Sequence, residues 1–127
     1  MTVITNSAAL SAIVKASQQM MHIDHNPLYN ATAFVVVSAA AQQKAPGIEF
    51  ANTGCIVENM LLAATALGID SIYIWGVLAG TSSDRDLWTG MGVPESYRPV
   101  SAAAFGYSME NHAAEKELSI SLSVNYV

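Results

Sequence analysis

Charge is scarce in this chain. Only 12% of its 127 residues are Asp, Glu, Lys or Arg, while 52% are hydrophobic; an average globular domain carries about 25% charged residues. A surface so poor in charge is wetted either by Ala, Ser, Thr, Asn and Gln or by burial against another subunit, and the expectation is an oligomer. Cations are scarcest of all. Lys15, Lys44, Arg85, Arg98 and Lys116 are scattered along a chain of net charge −5, so there is no basic stripe to neutralise phosphates, and a nucleic-acid partner is excluded. Cysteine occurs once, as Cys55, which excludes an internal disulfide and suits the cytoplasm.

Other absences narrow the reading further. No run approaches the roughly 20 apolar residues of a membrane span, and the longest apolar segment is broken by Glu58 and Asn59. The opening "MTVITNSAAL" lacks the basic head and apolar run of a secretory signal. The expectation is a cytoplasmic protein with no membrane contact. There is no Ser/His/Asp order, no persuasive carboxylate pair and no Gly-rich phosphate loop. In "HIDH", His22, Asp24 and His25 are of the types that bind zinc, but no third ligand follows at a recognisable spacing, and no metal is expected. Cys55 has no neighbouring cation in sequence to lower its pKa and reads as a small core residue.

What is present reads as one mixed α/β domain over residues 1–127, an α+β sandwich of about five strands and three helices. "TVIT" is a short β-branched strand, and Asn6-Ser7 offers caps for a helix over Ala8–Met21. Thr32–Ala39 is a continuous apolar run, a strand buried on both faces. A long helix follows over about Ile48–Leu67, ended by Gly68 in a left-handed cap. Ser71–Trp75 is the next strand. "AGTSSDRDLWTGMG" holds a short helix with Ser82 or Ser83 as its cap. "VSAAAFGY" is a strand of small residues, against which something must pack closely. From Leu118 to Tyr126, apolar and polar residues alternate as in a half-buried strand.

The long helix has almost no wet face, which marks it as a buried central helix. Ile56, Val57, Met60, Leu61, Ala64 and Leu67 can face a sheet, while Cys55, Leu62, Ala63 and Ala66 need cover on the other side. Glu58 either bonds across a subunit interface, caps a nearby backbone group or lies on a wet edge.

The segment "ENMLLAATALGIDSIYIWG" is similar to the helix-then-strand segment of the flavin-dependent nitroreductases, where the strand leads to a glycine beside the flavin ring. "LYNATAFVVVSA" resembles that family's "(F/Y)-x-A-P-x-x-I-x-V" strand, with Thr32 where proline is common. "MGVPESYRPVSAAAFGY" resembles its "LG(I/L)P" to "GY" ending, and "TVITNSAAL" its "V-V-T-(N/D)" strand and helix start. The resemblance covers almost the whole chain, in the family's order. The family's leading part, with an Arg-Ser-Arg segment that grips the flavin phosphate, has no counterpart here, so the chain resembles a nitroreductase truncated at its N-terminus.

The resemblance implies FMN bound at a homodimer interface, NAD(P)H as reductant and a small flat aromatic acceptor such as a nitroaromatic or quinone. It places Ile74, Trp75 and Gly76 against the isoalloxazine ring and Lys116 near the phosphate. The residues alone leave other roles open: Tyr73 and Trp75 as core aromatics, Gly76 as a turn, Arg98 on a turn surface, and Lys116, between Glu115 and Glu117, as a solvated charge. The alternative function is a flavin-free remnant serving as a dimeric scaffold or interaction domain; an exchanged dimer, in which each chain completes the other, is a further possibility.

Overall fold

The computed structural model describes residues 1–109 and 121–126. Within them the elements run β1 (Thr2–Ile4), α1 (Ser7–Met21), β2 (Ala33–Ala39), α2 (Ile48–Ala66), β3 (Asp70–Tyr73), α3 (Gly76–Thr81), α4 (Arg85–Gly90) and β4 (Arg98–Gly106). The strands form one antiparallel sheet in the order β1-β2-β4-β3. β2 and β4 are central, with Phe34 opposite Ala104 and Val36 opposite Ala102.

The period-2 alternation of the two central strands builds two cores, one on each face of the sheet. Phe34, Val36, Ala102 and Ala104 meet Ile13 of α1, Val77 and Leu78 of α3, and Trp88 of α4. On the opposite face Val37 and Ala103 meet Val57 of α2, with Met60 and Leu61 packed alongside. The small residues of β4 are therefore explained from both sides: helices crowd against them above and below.

Local signals set several boundaries. The Asn6 side-chain oxygen accepts from the N–H groups of Ala8 and Ala9 at 2.9 and 3.1 Å, starting α1 as expected of an N-cap. At the end of α2, Gly68 adopts φ +68°, its N–H donates to Thr65 O, and the Ile69 N–H reaches back to Ala64 O. That is a Schellman ending, and glycine is the residue that takes its left-handed position without strain.

Four expectations are corrected. The strand read as Ser71–Trp75 ends at Tyr73, and Gly76 opens a helix, α3, that was not foreseen. The expected cap at Ser82 or Ser83 is instead Asp84, whose carboxylate accepts from the Leu87 N–H at 3.0 Å; this register buries Trp88 and lets its indole N–H donate to Thr81 O at 2.8 Å. Of the residues of the central helix expected to face the sheet, Val57 and Ala64 are buried but Ile56 and Leu67 are exposed. Of the alternating tail, residues 118–120 lie outside the described residues, and 121–126 are exposed and form no strand. Among the described residues no strand pairs with them.

α1 and α3 approach closely where Met21 lies over Gly80. A Cβ on Gly80 would stand 2.6 Å from Met21 Cγ and 2.8 Å from its sulfur. Gly80→Ala is expected to cost about 1–3 kcal/mol through overpacking. Met21→Ala in the same chain should recover part of that loss, as a double-mutant cycle by urea unfolding would measure.

Candidate functional site

Strand β3 leaves the sheet at a corner. The Ile74 N–H still donates to Ala102 O at 2.9 Å, extending the β3–β4 ladder by one step, and its side chain is turned into the core. What Ile74 offers the surface is therefore backbone, not a side-chain wall. Trp75 then adopts helical angles, φ −107° and ψ −35°, and Gly76 begins α3. Trp75 is 56% exposed and Tyr73 39%; neither is a core aromatic. Gly76 is exposed as well. Trp75 gives α3 no side-chain cap, and the opening N–H groups of a helix have no partner within it. An exposed indole beside a residue without Cβ leaves room for a flat ring.

The glycine at this corner is not dictated by internal packing. A Cβ on Gly76 would meet Met21 Cε at 3.7 Å, an ordinary contact, unlike the clash at Gly80.

Behind the corner runs a chain of hydroxyls. The Tyr73 hydroxyl donates to Ser101 Oγ at 2.9 Å, and Ser101 Oγ lies 2.9 Å from Thr53 Oγ1. Thr53 in turn donates to Glu49 O at 2.7 Å. Ser101 and Thr53 are buried, so the chain ties β3 through β4 to α2. Sequence reasoning missed it; the only signal was a polar residue in each of two apolar segments.

A cleft of 310 Å³ opens at the other end of β3, where Tyr29, Asn30, Asp70, Phe105 and Tyr107 contribute to its lining. Asp70 there accepts from the Ser108 N–H at 2.6 Å. The cleft does not include Trp75 or Gly76, and we place the candidate site at the corner on its geometry. Among the described residues no three His, Cys, Asp or Glu side chains converge on a metal position, and no helix is long and apolar enough to cross a membrane.

The sequence profile of the nitroreductase family matches residues 3–107. The chain belongs to the nitroreductase family. Among solved structures it is similar to an FMN-bound nitroreductase from Bacteroides fragilis, at 27% identity and TM-score 0.81, over 99% of this chain and 74% of that one. An FMN-bound nitroreductase from Desulfitobacterium hafniense shares the fold at 18% identity and TM-score 0.80, over 99% and 73% of the two chains. An NADPH:FMN oxidoreductase from Vibrio harveyi, complexed with NAD⁺, shares it at 18% identity and TM-score 0.70, over 98% of this chain and 56% of that one. No curated protein sequence matches the chain. The mixed α+β fold expected from the sequence is thus that of FMN-bound nitroreductases.

The cations of this nitroreductase-family chain are placed unevenly. Lys116, the expected phosphate partner, lies outside the described residues. Arg85 donates to the backbone carbonyls of Tyr97 and Glu95, which bind α4 to the turn before β4. Arg98 is committed to structure too: it donates to Glu49 at 2.8 Å, and its guanidinium lies 5.2 Å from the centre of the Phe50 ring. Glu49, not Glu58, is the buried carboxylate of α2; Glu58 is exposed. Cys55 is exposed on α2 rather than a core residue.

Glu49 also accepts from the Gly47 N–H at 3.0 Å. A hydrogen bond to its own backbone, then those from Arg98 and Gly47, outweigh desolvation and hold its carboxyl below the usual glutamate range. A group whose folded pKa is lowered contributes stability that is present above its unfolded value and is lost as pH falls through the folded one. Melting temperatures of the wild type and Glu49→Gln should therefore differ most near neutral pH. The gap should narrow as the pH drops below the ordinary glutamate range.

Proposed function

We propose that this chain is an FMN-dependent NAD(P)H oxidoreductase of the nitroreductase type. The observation that carries this reading is an open Trp75–Gly76 corner in a chain that belongs to the family over residues 3–107. When bound, the flavin supplies hydride chemistry between a nicotinamide donor and a flat acceptor such as a nitroaromatic or quinone. The chain's own residues hold and polarise it. The backbone at Ile74 and Trp75 and the missing Cβ of Gly76 accommodate the ring edge, and the corner N–H groups stabilise negative charge there. Lys116 is proposed to hold the phosphate.

The same reading uses the outer face of α2. Cys55, Leu62 and Ala66 are exposed there, opposite the buried Val57 and Ala64, Leu62 to 61%. An apolar stripe of this kind calls for cover, and a second copy of the chain supplies it in the proposed homodimer.

Purified protein should be yellow, with about one FMN per chain after reconstitution. Gly76→Ala fits the fold, so its melting temperature should stay unchanged while FMN affinity drops about tenfold, equivalent to about 1.4 kcal/mol. Fluorescence titration measures that loss. Protein that stays colourless in excess FMN rejects the flavin reading in favour of a flavin-free dimeric scaffold.

Leu62→Arg should shift the chain toward monomer in sedimentation experiments without unfolding it. An unchanged sedimentation coefficient would remove the α2 face from the interface.

A further inference from the structure

The hydroxyl chain behind the corner has a direction. Each hydroxyl carries one proton. Thr53 lies 2.7 Å from Glu49 O and 3.3 Å from Phe50 O, and a carbonyl can only accept. Its proton is therefore spent on the backbone of α2. Toward Ser101, Thr53 Oγ1 can offer only a lone pair, so the 2.9 Å contact between them requires Ser101 to donate. Ser101 is then left to accept, and Tyr73 must give it the phenolic proton, at 2.9 Å. The order is Tyr73 to Ser101 to Thr53 to the α2 backbone. It is set at its buried end, and it leaves Tyr73 with lone pairs alone to present outward.

Tyr73 is where this order meets solvent. Ser101 is 2% exposed and Thr53 3%, against 39% for Tyr73. Ile74 is turned into the core on one face of the sheet, and strand alternation puts Tyr73 on the other face, the α2 side. The tyrosine lies immediately before the Ile74–Gly76 corner. Its ring crosses β4 diagonally to reach Ser101, since its direct cross-strand neighbour is Ala103.

We propose that Thr53 and Ser101 are positioning residues that fix Tyr73 as a hydrogen-bond acceptor beside the corner, so that the site favours a ligand presenting an N–H or O–H donor at that edge. This rests on the flavin reading of the corner. A flavin nucleotide meets the requirement through its pyrimidine N–H and its ribityl hydroxyls.

The test uses FMN as the probe, with the dissociation constant and the position of the flavin near-UV band as readouts. Tyr73→Phe removes the acceptor and should weaken FMN by about three- to tenfold, the range for one hydrogen bond. Thr53→Val keeps the shape but removes the terminal acceptor. Ser101 can then turn its proton to Tyr73, and the tyrosine proton turns outward. The tyrosine now presents a donor to a donor, so FMN should weaken comparably and its band should move. Thr53→Ser, which keeps the hydroxyl, should restore both. A buried threonine with a merely structural role would not shift the flavin spectrum.

If wild-type protein binds FMN but Tyr73→Phe leaves affinity and spectrum unchanged, the proposal falls and the flavin reading stands. If Tyr73→Phe acts but Thr53→Val does not, the proposed direction of the chain is wrong. If the wild type binds no FMN, both readings fall together. Should Thr53→Val not fold, Ser101→Ala takes its place: it removes the acceptor of the Tyr73 proton, so weaker FMN binding with a moved band supports the proposal and unchanged affinity and band overturn it.

Discussion

The architecture depends on how closely helices can approach β4. Ser101, Ala102, Ala103 and Ala104 are all buried, and they alternate between the two faces of the sheet. Ala102 and Ala104 lie under α1, α3 and α4, while Ala103 lies under Val57 of α2. Small side chains here let the α2 backbone come near enough for Thr53 to reach Ser101 at 2.9 Å. Bulkier side chains would lift the helix away and separate the two hydroxyls. The packing that fills the α2-side core is thus the same packing that carries Tyr73's hydrogen bond into the interior.

Much of this was legible because its causes are local. Asn6 before an apolar periodic run, Gly68 after another, and the buried runs of β2 and β4 each act within a few residues of themselves. The Ile74–Gly76 segment stands out by its resemblance to the family; the residues alone leave Trp75 as a core aromatic and Gly76 as a turn. The start of α3 was hidden because "IYIWG" reads as β-branched and aromatic up to its last residue, and only the tertiary turn at Trp75 decides where the strand ends. Asp84 displaced Ser82 and Ser83 as the cap because Trp88 had to be buried, a requirement no capping preference contains.

What could not be read lies in pairings distant along the chain. Glu49 meets Arg98, and Thr53 meets Ser101; a sequence scan gives no register for either. Glu58 drew notice as a charge on a greasy helix, yet it is exposed. Glu49 is buried near the helix start, where its carboxylate accepts from the Gly47 N–H and from Arg98. The acidic residue favoured in a first helical turn doubles here as the anchor for a distant arginine. That pairing ties the start of β4 to the start of α2.

The outer face of α2 and the corner are parts of one question. From Ala66 the chain turns through Leu67, Gly68 and Ile69 into β3, and that strand runs straight to Ile74. Beyond that turn the sheet's edge exposes Ile72, Tyr73 and Trp75. A single chain therefore leaves open both a helix face that wants apolar cover and an aromatic edge that suits a flat ring. In the proposed reading a second copy seated on α2 stands beside that edge and walls the ring in. Association and cofactor binding then stabilise one another, because whatever binds the assembled state raises its population by mass action. In the same reading the scarcity of charge has the same root: a surface that meets another copy and a flat ring has little use for ions.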